Sequence, residues 1–127
     1  MTDLQKIKYI LINGNINQSF IFRKVILNKG DKMIKVVAKC IVKKDKIEKF
    51  KNTAKDLINK TRQEADNISY ELYQDINNPT VLTFIEEWKD KQTLDLHMKS
   101  DHFKEIVPKL NEFKSTESET NVYKLIN

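Results

Sequence analysis

The side chains best able to do chemistry crowd into one stretch, from Phe84 to Phe103. It holds the single tryptophan, Trp88, both histidines, His97 and His102, and the carboxylate Glu86 between Phe84 and Trp88. Histidine is the side chain whose ordinary pKa lies near neutrality, which makes His97 and His102 the candidate proton carriers. Glu86 shares a strand face with Phe84 and Trp88 and so points inward, where a carboxylate needs a partner; a histidine or a ligand would serve. With Tyr70 and Phe103 as further walls, these residues describe an apolar, aromatic cleft with polar tips. Each also has a plainer reading. Trp88 equally suits the largest core side chain, Glu86 an ion-pair partner, and His102 a helix cap or a support behind the cleft.

Other chemistries lack their parts. Gly14 and Gly30 are the only glycines, so residues 33–127 contain none. A phosphate-cradling loop or a dinucleotide fingerprint needs glycine for close backbone approach and is excluded there. Cys40 stands alone, which rules out an internal disulfide and fits a reducing cytoplasm. His97 and His102 are five positions apart, well over a third of a turn on a continuous helix, and they straddle a break at Ser100-Asp101. That spacing argues against a metal pair unless the break folds them together. No Ser-His-Asp or Cys-His arrangement is readable from spacing.

Composition bounds the rest. At 127 residues, 39% hydrophobic and 32% charged, the chain is sized for one globular domain with a modest core. No apolar run approaches a membrane span, and Asn13-Gly14-Asn15 interrupts the apolar residues 9–12 too early for a signal peptide. The net charge of +5 divides into +4 over residues 1–32, +6 over 33–60 and −5 over 61–127. Lysine supplies nearly all the positive charge, which reads as a solvated face rather than the arginine forks of a nucleic-acid reader. No nucleic-acid or membrane partner is expected.

The elements that must position the cleft begin at Met33. Residues 1–32 form an extension of different character, with β-prone runs at Lys8 to Ile12 and Phe20 to Leu27 around an Asn-Gly turn signal; a hairpin or a flexible segment fits it. Met33 to Val42 alternates as a strand, with Ile34, Val36, Ala38, Cys40 and Val42 on one face. Asp45 and Glu48 match a capping box, and Ile47, Phe50, Ala54, Leu57, Ile58 and Thr61 form one helical stripe to about Gln63. Strands follow at Ile68 to Asp75 and Thr80 to Trp88, separated by Asn77-Asn78-Pro79. Asp90 opens a short helix through Met98. Ser100 or Asp101 opens another to about Phe113, and residues 121–126 close with a fourth strand. The order is β-α-β-β-α-β with its second helix broken, an α+β, ferredoxin-like plan. In the third strand Leu82, Phe84 and Trp88 face one way and Val81, Thr83 and Ile85 the other. Helices cover only one face of such a sheet, so a second copy is expected on the other, as a homodimer.

The sequence resembles the antibiotic biosynthesis monooxygenase family over about residues 33–126, its quinol monooxygenase-like members above all. The resemblance is carried by Asn67 to Asp75 (NISYELYQD), Asn78-Pro79, Phe84 to Asp90 (FIEEWKD), Leu94, His97 and Ser100-Asp101-His102-Phe103. It implies a dimeric α+β barrel of ferredoxin-like subunits. It also implies oxygenation of an electron-rich quinol, phenol or polycyclic aromatic with O2 and no cofactor, neither metal nor flavin. Without such a group the substrate must itself become a reactive anion. A phenol near ~10 facing a histidine near ~6.5 is mismatched by about 5 kcal/mol, which a dry pocket with oriented donors offsets in part. His97 would then be the base or oxyanion partner and the Trp88 indole N–H a donor, with Tyr70, Phe84, Glu86, His102 and Phe103 binding substrate. Heme-degrading relatives carry an asparagine on the first strand where this chain has Lys39, which argues against heme. A non-catalytic dimeric binding protein, or an isomerase of a small signalling metabolite, is the alternative on the same fold.

Overall fold

The computed structural model describes residues 33–126, and what the sequence suggests for residues 1–32 lies outside them. In chain order the elements are β1 (Ile34–Ile41), α1 (Ile47–Arg62), β2 (Asn67–Gln74), β3 (Val81–Trp88), α2 (Lys91–Met98), α3 (Asp101–Glu112) and β4 (Glu119–Lys124). The strands make one antiparallel sheet in the order β2-β3-β1-β4. This is the ferredoxin-like plan with its second helix in two pieces. Among the described residues no helix is long and apolar enough to cross a membrane.

Period-two alternation places the core. Ile34, Val36, Cys40 and Val42 are buried beneath the helices, as are Leu82, Phe84, Glu86 and Trp88 on β3. The register sets them side by side, Ile34 opposite Trp88, Val36 opposite Glu86 and Ala38 opposite Phe84. From α1, Phe50, Ala54, Leu57 and Thr61 descend onto this layer at helical spacing. The outer neighbours Val81, Thr83 and Ile85 are only half-buried.

Two local expectations are corrected. The Asp45–Glu48 capping box does not form. Lys46 is the N-cap and makes no side-chain cap bond. A backbone turn, Lys46 N–H to the Lys43 carbonyl at 2.8 Å, runs directly into the Phe50 N–H to Lys46 carbonyl bond at 2.9 Å. The helix therefore starts one residue later than Asp45 could serve. β4 begins at Glu119 rather than Asn121, and all six of its residues are exposed. Its alternation survives in the register, with Val122 opposite Val36, but α1 packs against β2 and α3 and leaves the β4 edge uncovered.

The helix breaks fall where predicted. Asp90 accepts from the Thr93 N–H at 2.9 Å while its own N–H donates to the Thr93 hydroxyl at 3.3 Å, a complete capping box. Ser100, in an extended conformation, accepts from the Phe103 N–H at 3.3 Å and starts α3.

Candidate functional site

The uncovered β1–β4 side of the sheet opens a cavity of about 780 Å³ between the strands and α2–α3. That volume suits a small organic ligand. Tyr70, Phe84, Glu86, His97 and Phe103 line it at the buried end, while Lys114 to Ser118 line the exposed end. Of the seven residues named for the cleft, the five at the buried end line the cavity, while Trp88 and His102 do not.

His97 sits on α2 at 1% exposure, packed against three rings: Trp88 at 4.6 Å between centroids, Phe103 at 5.1 Å edge-on and Tyr70 at 5.5 Å. Its Nδ1 lies 2.7 Å from Oε2 of Glu64, and Nε2 of His102 lies 2.9 Å from the same oxygen. The break at Ser100-Asp101 folds the two histidines together, the exception that the spacing argument allowed. Ser100 makes the difference, because its hydroxyl and N–H both donate to the His97 carbonyl, at 2.6 and 3.0 Å, and turn α3 back over α2. The two rings come to 6.0 Å. Nδ1 of His97, Nε2 of His102 and a Glu64 oxygen lie within 4.8 Å of one another, compact enough for a divalent cation. Here the three are tied to each other by hydrogen bonds.

Glu64 is the site residue the sequence reading missed. It lies 33 positions from His97, in the turn between α1 and β2, and does not line the cavity. One signal was available. Glu64 continues the buried stripe Phe50, Ala54, Leu57, Thr61, and a carboxylate in phase with an apolar stripe must find a buried partner. The turn is fixed firmly. Arg62 donates to the Tyr70 carbonyl at 3.1 Å and to Glu71 at 2.6 Å, and buried Asn67 donates to the Ser69 and Glu87 carbonyls at 3.0 and 3.3 Å. Burial by itself pushes the Glu64 carboxyl up, but the hydrogen bonds from His97 and His102 prevail and hold it below the ordinary carboxylate range.

An ionised carboxylate only accepts, so Nδ1 of His97 is the nitrogen that donates to Glu64, and in the neutral form of the ring Nε2 is left as an acceptor. Nε2 is buried and has no hydrogen-bond partner among the described residues. His97 lines the cavity and carries this buried nitrogen, which has no donor among the described residues.

Within the protein Glu86 finds its partner in Trp88 rather than in a histidine. The Trp88 indole N–H donates to its Oε1 at 2.9 Å. Burial raises the Glu86 carboxyl, the Trp88 bond and the charge of His97 pull it down, and the charge of Glu64 adds to the rise, for a net shift upward. Burial, followed by the charges of Glu86, Glu64 and Cys40, pushes the Tyr70 phenol well above its ordinary value. Both shifts favour the neutral form at the buried end of the cavity.

Comparison with known proteins bears on this geometry. The family model described as antibiotic biosynthesis monooxygenase matches residues 33–109. The Bacillus subtilis (strain 168) protein named "Putative monooxygenase YcnE" is 31% identical over 83 residues, 65% of this chain and 87% of that protein. A conserved protein from Methanosarcina mazei Go1 has a crystal structure that is 45% identical, with TM-score 0.72, covering 80% of this chain and 95% of that one. A crystal structure of an antibiotic biosynthesis monooxygenase is 31% identical, with TM-score 0.71, covering 74% of this chain and 99% of that one.

Proposed function

The chain belongs to the antibiotic biosynthesis monooxygenase family, and from that premise we propose that it oxygenates a quinol or other phenolic aromatic with His97 as the base. The observation that carries the proposal is Nε2 of His97, buried without a partner among the described residues, on a side chain that lines an aromatic-walled cavity. A quinol hydroxyl seated there supplies the missing donor and passes its proton to the imidazole. The resulting electron-rich anion gives electrons to O2. One oxygen atom bonds to a ring carbon and the other leaves as water, while the quinol is oxidised to a hydroxyquinone. Both electron pairs come from the substrate, so the reaction balances without a further reductant. Trp88 backs the His97 ring and holds Glu86, and Tyr70, Phe84 and Phe103 enclose the aromatic body.

The working unit in this proposal is a homodimer joined through the outer faces of two sheets, the barrel its family implies. On that face Val37, Val81 and Ile85 are half-buried with no helix of the described residues above them, and Ile41, Tyr73 and Tyr123 are exposed. A second sheet packed there would remove this apolar surface from water.

Oxygen uptake with 1,4-dihydroxynaphthalene, corrected for autoxidation, tests the activity. The wild-type chain should consume O2 and His97→Ala should lose on the order of 10²–10⁴ in rate while staying folded, the usual contribution of a general base. Saturable binding of the quinol without uptake above autoxidation would make the protein a binding module instead.

A further inference from the structure

We propose that Glu64 is the positioning residue for His97, fixing the ring in the tautomer that leaves Nε2 free, with His102 as a rival donor that moderates the effect. The inference rests on His97 being the base, but its structural half stands on geometry alone.

Among the described residues both rings turn to one acceptor, Glu64 Oε2, at 2.7 Å from Nδ1 of His97 and 2.9 Å from Nε2 of His102. His97 lines the cavity while Glu64 and His102 do not, so Glu64 can act on the ligand space only through the imidazole. Had the ring carried its proton on Nε2, Nδ1 and the carboxylate would face each other as two acceptors at 2.7 Å, a repulsive contact. The tautomer is therefore dictated by Glu64. When Nε2 takes a proton, the same carboxylate faces the new imidazolium and stabilises it through a charge-assisted bond. A partner behind a functional histidine that sets both tautomer and basicity is a general device.

His102 changes the strength of that device. Each donor that Glu64 Oε2 accepts withdraws some of its negative charge, and the two rings draw on one oxygen. Removing His102 leaves the carboxylate wholly to His97 and should make Nε2 more basic. Neutralising Glu64 should do the reverse. Two further titratable groups are placed to act on His97, Glu86 on β3, whose charge couples with it, and Tyr70 on β2, whose ring packs against it; both are present in every variant below.

The experiment combines ring-nitrogen NMR of the full chain labelled with 15N-histidine and turnover of 1,4-dihydroxynaphthalene across pH. Wild-type His97 should show a proton on Nδ1 and none on Nε2. Glu64→Gln, whose amide oxygen still accepts from one ring, should mix the tautomers. It should also lower kcat by about 10–100-fold at little change in KM, the range for outer partners of a functional histidine. The acid limb of its pH–rate profile should move to lower pH, and that of His102→Ala to higher pH. A purely structural ion pair would not move the two limbs in opposite directions.

A wild-type His97 protonated on Nε2 overturns the proposal, and so does a Glu64→Gln variant with wild-type tautomer and rate. A rate abolished by a chelator and restored by Zn²⁺ or Mn²⁺ would make Glu64 a metal ligand, which also overturns it. If Glu64→Gln does not fold, the wild-type spectrum and His102→Ala still decide. Turnover retained in His97→Ala alongside the expected spectrum would reject the base assignment and leave the tautomer result standing.

Discussion

Trp88 and Glu86, two residues apart on the same side of β3, are joined by a hydrogen bond from the indole N–H to Oε1 at 2.9 Å. The donor that the sequence offers to a substrate oxyanion is thus already engaged inside the protein. Trp88 shapes the site from behind, as the ring under His97 and as the partner that makes a buried carboxyl tolerable.

Trp88→Phe separates those roles. It keeps most of the apolar volume and strands Glu86 without its donor, which costs about 1–3 kcal/mol. For a domain of this size the melting temperature should fall by several degrees. Turnover per folded molecule should change only a few-fold. A loss on the order of 10² in rate at unchanged melting temperature would restore Trp88 to direct contact with the substrate.

Ile85 tests the dimer. It lies opposite Val37 in the middle of the sheet's outer face. In the proposed dimer Ile85→Lys would place an unpaired charge between the two sheets, at a cost of several kcal/mol. Light scattering should report a dimer for the wild type and a monomer, or aggregation, for the variant. A wild-type chain that stays monomeric at micromolar concentration would contradict the two-sheet arrangement.

Most of the fold was legible because it rests on periodicity. Leu82-Phe84-Trp88 against Val81-Thr83-Ile85, and the stripe from Phe50 to Thr61, are patterns that burial imposes directly on sequence. Asp90 and Ser100 were legible as caps because capping is a contact between near neighbours. Glu64 was not, because its partners are 33 and 38 positions away and only the turns at Asn67 and Ser100 bring them together. The Asp45 cap failed for a related reason, since the backbone turn from Lys43 sets the helix start. Individual side-chain partners depend on turn geometry, which composition and spacing encode weakly.

Residues 33–126 hold a complete four-stranded sheet and its helices, so a chain begun at Met33 should fold and keep its oligomeric state. Its melting temperature should lie within a few degrees of the full chain's. Aggregation, or a much larger drop, would make Phe20 to Leu27 part of the fold and move the domain boundary toward the N-terminus.

Glu86 carries the last prediction, a dependence of stability on pH. Burial is the largest influence on its carboxyl and raises it above the ordinary range, so the folded state binds the proton more tightly than the unfolded chain does. The stability that this group contributes is therefore complete below its unfolded value, near pH ~4.3, and is lost as pH rises through its higher folded value. Glu86→Gln removes that loss, because glutamine is neutral at every pH and its amide oxygen can still accept from the Trp88 N–H. Glu64, which shifts the opposite way, loses its contribution as pH falls and is common to both proteins, so it largely cancels in the difference. Melting temperatures measured from pH 4 to pH 8 should show Glu86→Gln close to wild type at the acid end. The variant should gain on the wild type as pH rises and reach a plateau once Glu86 is ionised in both states of the wild type. A difference that stays flat across this range would mean that Glu86 ionises in the folded protein as it does in the unfolded chain. The buried end of the cavity would then be wetter than its burial implies.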